Sequence, residues 1–214
     1  MATPDDQQPA GARRFRPDQP LVIGLCGGVA AGKSAVAALF RAHGLRHIDA
    51  DEHARAAAEE PRILAEVRAR LGERFVVDGR LDRPAVAEHV FSEPSARRTL
   101  EEIVHPEVRS RILAELDAAA AAGASSLLDV PLLFEAGLFE QCGLIVFVDA
   151  PEDVRRARAR ERGWDEGELA RREQSQLPLE EKRARAHRVI DNGGSLEETR
   201  QAVAALLAQL EAGA

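Results

Sequence analysis

The stretch Gly24–Phe40, GLCGGVAAGKSAVAALF, places four glycines and a lysine between two apolar segments. Before the loop, Leu21–Cys26 (LVIGLC) is a short apolar run that ends at glycines, which is the pattern of a buried strand. After it, KSAVAALFRAHG carries apolar residues at helical spacing and stops at Gly44, a residue type that commonly follows a helix end. The stretch therefore predicts a strand, a glycine-rich loop and a helix, in that order.

The eight loop residues fit the pattern G-x-x-x-x-G-K-[ST]. They are Gly27, Gly28, Val29, Ala30, Ala31, Gly32, Lys33 and Ser34. Glycines let the backbone approach an anion closely, successive N–H groups can face inward, and the helix N-terminus adds its dipole. Lys33 is one of only two lysines among 29 basic residues, and a flexible ammonium group follows phosphates better than a planar guanidinium does. We predict that the loop binds the phosphates of ATP and that the Ser34 hydroxyl binds Mg²⁺.

The rest of the chain alternates short apolar runs with helical patterns. Four further strands are predicted within LRHIDAD (45–51), SSLLDVPLLFE (125–135), GLIVFVDAP (143–151) and HRVIDNGG (187–194). Buried strands that alternate with helices favour a parallel sheet covered on both faces. The predicted fold is therefore α/β, a doubly wound parallel sheet of about five strands that carries a P-loop.

Further helical patterns occur after the second predicted strand. We expect helices over 52–71, from Pro84, over 95–122, over 151–187 and over 195–211, and a turn at Asp78–Gly79. His105-Pro106 is predicted to interrupt or kink the helix over 95–122, because proline lacks an N–H group. Residues 20–214 are predicted to be one domain that includes a helical region at about 52–122 and another at about 151–187.

Composition and charge narrow the class of function. The net charge is −7, aromatic residues are scarce and tyrosine is absent, so we expect no nucleic-acid partner. No apolar run approaches the roughly 20 residues of a membrane span, so we expect no membrane partner. Residues 1–19 are polar and proline-rich and are predicted to be a disordered tail without a signal peptide. Two cysteines without metal-ligand spacing indicate buried thiols, and we predict a cytoplasmic protein.

Acidic residues follow two of the predicted strands. Asp49 and Asp51 end the second strand, where the doubly wound fold places its ligands. A carboxylate there could orient an attacking hydroxyl and accept its proton, but Asp51 could equally cap the helix that follows. Asp129 closes the strand in LLDVP, where it could help to hold Mg²⁺ or serve only as a turn residue before Pro131.

Arginines are concentrated between Arg155 and Arg188. This segment has eleven basic residues against seven acidic ones, although the whole chain is acidic. Phosphoryl transfer needs cations around the phosphate oxygens, so some of these arginines are candidates for a closing lid, while others form a solvated helix face. Arg155 and Arg156 serve as the expected surface residues.

Together these segments resemble the dephospho-coenzyme A kinase family, from about residue 21 to 211. The motifs that carry the resemblance are GLCGGVAAGKS, IDADEHAR, GRLDRPAVAEHVF, LEEIVHPEV, DVPLLFE and QLPLEEKRARAHRVIDNGG. The first motif is shared with many P-loop proteins, whereas the others are specific in this order and spacing. The resemblance implies ATP- and Mg²⁺-dependent phosphorylation of the ribose 3′-hydroxyl of dephospho-CoA, the last step of coenzyme A synthesis.

The resemblance also implies roles for single residues. Asp51 would be catalytic, together with Lys33, Arg158 and Arg162 of the lid. The implied substrate-binding residues are Asp51, Arg55, His105, Pro106, Leu133 and Glu135, so that the helical region at 52–122 would bind substrate. Asn192 and Gly194 match a loop that lies near the adenine of ATP. His187 stands where an aspartate is common in the family, and the sequence does not show what it contacts.

Four other functions compete with this interpretation. A P-loop kinase with another small hydroxyl or nucleotide acceptor differs only in the HP and PLLFE segments. A GTPase would need an NKxD-type loop and a transporter ATPase an LSGGQ-like signature, and the sequence has neither. A nucleotide sensor without turnover is disfavoured because Lys33, Ser34 and Asp51 are all present.

Overall fold

The computed structural model describes residues 20–212 of the chain, so the predicted disordered tail at 1–19 lies outside the described residues. Five strands form the main sheet: β1 (Val22–Gly27), β2 (Arg46–Asp49), β5 (Ser126–Asp129), β6 (Leu144–Asp149) and β7 (Arg188–Asp191). Their order is β2-β5-β1-β6-β7, and β5, β1, β6 and β7 run parallel. The predicted five-stranded α/β sheet is confirmed.

Nine α-helices lie between and after these strands along the described part of the chain. They are α1 (Lys33–Ala42), α2 (Ala50–Ala57), α3 (Pro61–Arg70), α4 (Arg83–Ser92), α5 (Pro94–Ala121), α6 (Glu152–Glu161), α7 (Glu166–Gln174), α8 (Leu179–Ala184) and α9 (Leu196–Ala212). Parallel neighbours need crossover connections, and helices supply them here. Since β1 is the central strand, the loop that follows it lies at the middle of one sheet edge.

The core of the sheet explains why β1 and β6 are mainly apolar. Ile23, Leu25, Val146 and Val148 belong to one buried cluster, which also includes Phe40 of α1. Strands of a parallel sheet that are buried on both faces consist of continuous apolar runs, and the sequence shows this pattern. This packing anchors both sides of the glycine-rich loop, because β1 leads into the loop and α1 leads out of it.

The chain forms two compact units. The first contains the described residues up to Ile48 and from Ala118 onward, and the second contains Asp49–Asp117. The second unit has a core of its own that includes Ile63, Val67, Phe75 and Ile103. It also contains a short hairpin of β3 (Val76–Val77) and β4 (Arg80–Leu81). Asp78 and Gly79, where a turn was predicted, join these strands with φ values of 50° and 75°.

Two helical predictions in the second unit need correction. The helix expected over 52–71 is two helices, α2 and α3, because Pro61 begins α3 and Glu60 before it is extended, with ψ of 133°. The helix over 95–122, expected to be interrupted or kinked at Pro106, is not interrupted but continuous from Pro94 to Ala121. Pro106 lies inside α5 at an exposed position, where the carbonyl that loses its helical partner can face solvent.

Both cysteines are buried, free thiols, as predicted. Burial raises the pKa of Cys26 to about 12 and also raises the pKa of Cys142, so neither is a reactive thiolate at neutral pH. Within residues 20–212, no helix has the length and apolar character that a membrane span requires.

Candidate active site

The glycine-rich loop leaves β1 in a tight turn. The N–H group of Ala31 donates to the carbonyl oxygen of Gly28 at 3.1 Å. Ala30 has a φ of 61° and Gly32 a φ of 88°, both in the left-handed region. For Ala30 this conformation costs on the order of 1 kcal/mol, and such strained backbone is concentrated at ligand sites. The backbone therefore has the conformation of an anion-binding loop.

Close packing explains the first two glycines of the loop. A Cβ atom at Gly27 would lie 2.5 Å from the carbonyl oxygen of Val148 on β6. At Gly28 it would lie 3.2 Å from side-chain atoms of both Arg155 and Leu179. A larger residue at Gly27 would therefore displace the loop from β6, whereas one at Gly28 would press against the side chains of Arg155 and Leu179.

The N-terminus of α1 is open toward the loop. Its N-cap is Gly32, and within the described part of the chain no side chain caps this end and no acidic residue lies in its first turn. The unpaired N–H groups at a helix N-terminus carry a partial positive charge that stabilises an anion. The predicted phosphate site therefore has the expected local structure, while the assignment of its eight residues to ATP stays a prediction.

Lys33 pairs with Asp129 in this structure. The Lys33 ammonium group donates to Asp129 Oδ1, and His47 Nε2 lies 3.3 Å from Asp129 Oδ2. Asp129 ends β5 and is largely buried. Sequence analysis missed His47, because only the pairing of β2 with β5 brings it to this carboxylate.

The two acids after β2 have different structural roles. Asp49 is the N-cap of α2, and its side chain accepts hydrogen bonds from the N–H groups of Asp51 at 2.8 Å and Glu52 at 3.3 Å. Asp51 lies in the first turn of α2 and is exposed. The alternative that Asp51 caps this helix is therefore wrong, and its catalytic role stays a prediction.

The helices after β6 pack directly on the loop. Val29 and Ala30 contact a small apolar cluster formed by Ala159 of α6, Leu169 of α7 and Trp164 between them. Through this cluster the predicted lid segment packs against the glycine-rich loop. The loop and these helices belong to the same compact unit.

The two predicted lid arginines line one cavity beside the loop. Its volume is about 260 Å³, and its walls are formed by Gly32, Ser34, Ala35, Arg158, Arg162, Asn192, Gly194 and Leu196. Arg158 donates to the carbonyl oxygens of Ala31 at 3.0 Å and Asn192 at 2.8 Å. Arg162 is exposed, with its guanidinium 5.5 Å from the centre of the Trp164 ring. The structure therefore brings together Ser34, both lid arginines, Asn192 and Gly194.

The prediction that Arg155 and Arg156 both lie on the surface is confirmed for Arg156 and wrong for Arg155. Arg156 is exposed and pairs with Glu152 one turn earlier. Arg155 is only 7% exposed, pairs with Glu173 of α7 and lies under Gly28. An exposed ion pair contributes little stability, whereas removing one partner of a buried pair is costly. Arg155 therefore links α6 to α7 beneath the loop.

Leu133 and Glu135 lie in the segment after β5. Leu133 is buried against β1, where a Cβ atom at Gly24 would lie 2.9 Å from its side chain. Glu135 Oε1 accepts the N–H of Leu177 at 2.8 Å and lies 3.5 Å from the ammonium group of Lys182. These contacts are typical of structural residues, and a role of Leu133 and Glu135 in substrate binding stays a prediction.

Lys182 stands out in the sequence only because lysine is rare in this chain. It is 1% exposed and donates to Gln176 Oε1 at 2.7 Å, in addition to its ion pair with Glu135. A buried ammonium group needs such partners, because burial without them costs several kcal/mol, on the order of 5. The two lysines of the chain therefore each have a specific carboxylate partner, Asp129 for Lys33 and Glu135 for Lys182.

The remaining predicted substrate residues lie in the second unit. Arg55 is exposed on α2, and its carbonyl oxygen accepts a hydrogen bond from Arg83 at 3.2 Å. His105 and Pro106 are exposed on adjacent positions of α5. Their assignment to substrate binding stays a prediction.

His187 continues the hydrogen-bond ladder between β6 and β7. Its N–H group donates to the carbonyl oxygen of Ile145, and its ring Nδ1 accepts the N–H of Ile145, both at 2.9 Å. Burial, and to a lesser extent the charge of Arg188, lowers the pKa of His187 below its ordinary value. His187 is therefore a neutral structural residue, which answers the question its unusual position raised.

Comparison with known proteins decides between the competing interpretations. The family model described as Dephospho-CoA kinase matches residues 21–198. The chain belongs to the dephospho-CoA kinase family. A dephospho-CoA kinase of Syntrophotalea carbinolica is 44% identical over 199 residues, which cover 90% of this chain and 93% of the relative. ATP-dependent phosphorylation of dephospho-CoA in coenzyme A synthesis is thus the function of this enzyme, as the sequence motifs predicted.

Solved structures agree with the fold. A crystal structure from Thermus thermophilus is 41% identical, covers 90% of this chain and 98% of its own, and superposes with a TM-score of 0.76. The dephospho-CoA kinase structure from Campylobacter jejuni superposes with a TM-score of 0.70 at 23% identity, over 90% of this chain and 98% of its own. The latter supports the fold alone, which is the predicted P-loop kinase type.

Proposed function

We propose that the kinase transfers the γ-phosphoryl group of ATP to the ribose 3′-hydroxyl of dephospho-CoA, with Gly27–Ser34 holding the phosphates. The observation that carries this proposal is the open N-terminus of α1, which begins at a loop with two residues in the left-handed region. Backbone N–H groups arranged in this way can bind phosphate oxygens without any capping side chain.

Lys33 would supply the mobile charge in this site. In the structure its ammonium group neutralises Asp129. We propose that it also contacts the β- and γ-phosphates, because the lysine of such a loop acts as a flexible point charge. The expected gain is largest in the transition state, where charge is spread over the equatorial oxygens.

The donor set near the loop suits Mg²⁺. Ser34 offers a hydroxyl oxygen and Asp129 a carboxylate, both of which are the hard oxygen ligands that Mg²⁺ prefers. Residues 20–212 contain no cluster of three or more His, Cys, Asp or Glu side chains that could hold a metal. That finding fits an ion bound by one or two protein oxygens together with phosphates and water. Mg²⁺, when bound, neutralises charge on the phosphates.

We propose that Asp51 orients the acceptor hydroxyl and receives its proton. Asp49 already caps α2, so the position of Asp51 in the first helical turn is not required for capping. A carboxylate is a weak base for an alcohol, so orientation should contribute more than early proton removal. Arg55, His105, Pro106, Leu133 and Glu135 are proposed to bind dephospho-CoA, on the strength of the family motifs alone.

The cavity beside the loop is proposed to receive the nucleoside part of ATP. Gly194 and Leu196 form its apolar side, and Arg158 and Arg162 its basic side. Both arginines would act as lid residues that approach the transferred phosphoryl group. We further propose a cytoplasmic enzyme without nucleic-acid or membrane partners, consistent with its two free cysteines and acidic net charge.

Asp51→Asn is the variant that tests this proposal. Asparagine keeps the shape of the side chain but cannot accept the proton, so kcat should fall by a factor on the order of 10² or more while both substrates still bind. Turnover is measured by coupled ADP release with dephospho-CoA, and binding by calorimetry. Glu52→Gln, in the same helical turn, is the matched control and should retain turnover. Near-wild-type turnover of Asp51→Asn would remove Asp51 from the mechanism.

A further inference from the structure

The carbonyl oxygen of Ala31 in the glycine-rich loop is held by two side chains from distant parts of the chain. Asn192 Nδ2 donates to it at 2.8 Å and Arg158 Nη1 at 3.0 Å. Arg158 Nη2 also donates to the carbonyl oxygen of Asn192 at 2.8 Å, which closes the network. The loop, the end of β7 and helix α6 are therefore joined at one backbone carbonyl.

The amide of Asn192 is fixed in one orientation. A backbone carbonyl can only accept, so the nitrogen of the amide must face Ala31, and Oδ1 faces the hydroxyl of Thr199, which donates to it at 2.9 Å. Thr199 is fully buried on α9, and Asn192 is only 4% exposed. The N–H group of Asn192 is also used, since it donates to the carbonyl oxygen of Asp149 at 2.7 Å. Little of this side chain can therefore face a ligand in the cavity.

Fixing the Ala31 carbonyl also fixes the N–H group of Gly32. The two belong to one planar trans peptide, in which C=O and N–H point in opposite directions. Because the carbonyl points at Asn192, the N–H of Gly32 points away from it. A Cβ atom at Gly32 would overlap Asn192 Nδ2, so glycine is needed for this contact as well as for the φ of 88°.

We propose that Asn192, supported by Thr199, is a positioning residue that holds the Gly32 N–H in the direction of the ATP phosphates and does not read the adenine base. The inference rests on the proposed phosphate site at Gly27–Ser34. It also changes the role expected for Asn192, which the family motif associates with the adenine. Contact with the adenine base is assigned instead to Gly194 and Leu196, which line the same cavity. Leu196 is 56% exposed.

Two probes separate phosphate binding from base binding: inorganic tripolyphosphate, which has no base, and adenosine, which has no phosphate. Asn192→Ala should weaken binding of tripolyphosphate and of ATP by about the same factor, near tenfold, because the Ala31 carbonyl loses one of its two donors. Adenosine binding should be unchanged. In steady-state kinetics, Asn192→Ala should raise the KM for ATP and leave the KM for dephospho-CoA unchanged.

Thr199→Val is the second variant, in case Asn192→Ala does not fold. Valine is close to isosteric and removes the hydroxyl that contacts Asn192 Oδ1 at 2.9 Å and the carbonyl oxygen of Ser195 at 3.2 Å. Tripolyphosphate affinity should fall about threefold while adenosine affinity holds. Leu196→Ala, at another residue that lines the cavity, is the matched control, and it should weaken adenosine binding and leave tripolyphosphate binding unchanged. All binding is measured by calorimetry on the full chain, with thermal melting to confirm folding.

Two results would overturn the proposal, and they differ. If Asn192→Ala or Thr199→Val weakens adenosine while tripolyphosphate binds as in the wild type, Asn192 reads the base. If the wild-type protein binds adenosine but not tripolyphosphate, the phosphate site itself is wrong, and the role of Asn192 is lost with it.

Discussion

Helices α1 and α2 begin in opposite ways. Gly32 caps α1 without a side-chain hydrogen bond, and the first two residues of the helix are Lys33 and Ser34. Asp49 caps α2 with its carboxylate, and two acidic residues follow in the first turn. A helix whose N–H groups are satisfied by its own chain gains stability, whereas one that leaves them open keeps a site for an external anion. The N-terminus of α2 is therefore closed by its own chain, whereas that of α1 stays open for the phosphate that we propose it binds.

Gly32→Ala should produce the largest effect, because it acts on the open N-terminus in two ways. The new Cβ would overlap Asn192 Nδ2 and the φ of 88° would become strained. We expect kcat/KM for ATP to fall by a factor on the order of 10³. Steady-state kinetics of ADP release measure this.

Gly44→Ala is the control for Gly32→Ala. Gly44 has a φ of 87°, close to that of Gly32, but no atom of the described residues lies within 4 Å of the place that its Cβ would take. It should cost about 1 kcal/mol of stability in urea unfolding and leave activity unchanged. Equal activity losses in the two variants would mean that backbone strain alone, rather than the phosphate loop, explains the effect.

Lys33→Ala tests the charge at the same N-terminus. Loss of a contact to transition-state charge should cost on the order of 3 kcal/mol in kcat/KM for ATP, and the fold should remain intact. Circular dichroism and ADP-release kinetics check both parts. Lys33→Arg keeps the charge on a planar group and should recover activity only in part. Unchanged kcat/KM for ATP in Lys33→Ala would limit this lysine to its ion pair with Asp129.

Asp49→Ala should have the smallest effect, and only on stability. Removing the cap of α2 leaves two N–H groups without their side-chain acceptor and should cost about 1 kcal/mol in urea unfolding. Asp49→Asn caps about as well as aspartate and should be nearly silent. A loss of turnover in Asp49→Asn, with stability unchanged, would show that the second helix N-terminus also takes part in catalysis.

Local rules were sufficient where neighbours in sequence decide the structure. The loop after β1, the start of α4 beside Pro84 and the turn at Asp78–Gly79 follow from the conformational preferences of glycine and proline. The break between α2 and α3 before Pro61 could also have been predicted from the sequence, because proline disfavours the helical conformation at the preceding residue. Pro106 shows the limit of the same rule, since the packing of a 28-residue helix outweighed one missing hydrogen bond.

Long-range contacts decided the roles of several side chains that look alike in sequence. Arg155 and Arg156 are adjacent, yet one is buried against Glu173 and the other is exposed. A helix turns about 100° per residue, so neighbours face different surroundings, and an arginine-rich pattern does not show which face is covered.

The sequence by itself determined the strands of the sheet, the glycine-rich loop and the family, because each depends on residues within a few positions or on motifs in a set order. Only the tertiary structure decided that Asp49 rather than Asp51 caps α2, that His47 approaches Asp129, and that Asn192 holds the loop carbonyl of Ala31. Aspartate is a good N-cap residue at either position 49 or position 51, so the sequence does not choose between them. The contact of His47 with Asp129 joins residues 82 positions apart, and that of Asn192 with Ala31 joins residues 161 positions apart. Such pairs meet only when strands and helices pack, and one sequence does not specify which distant side chains will face each other.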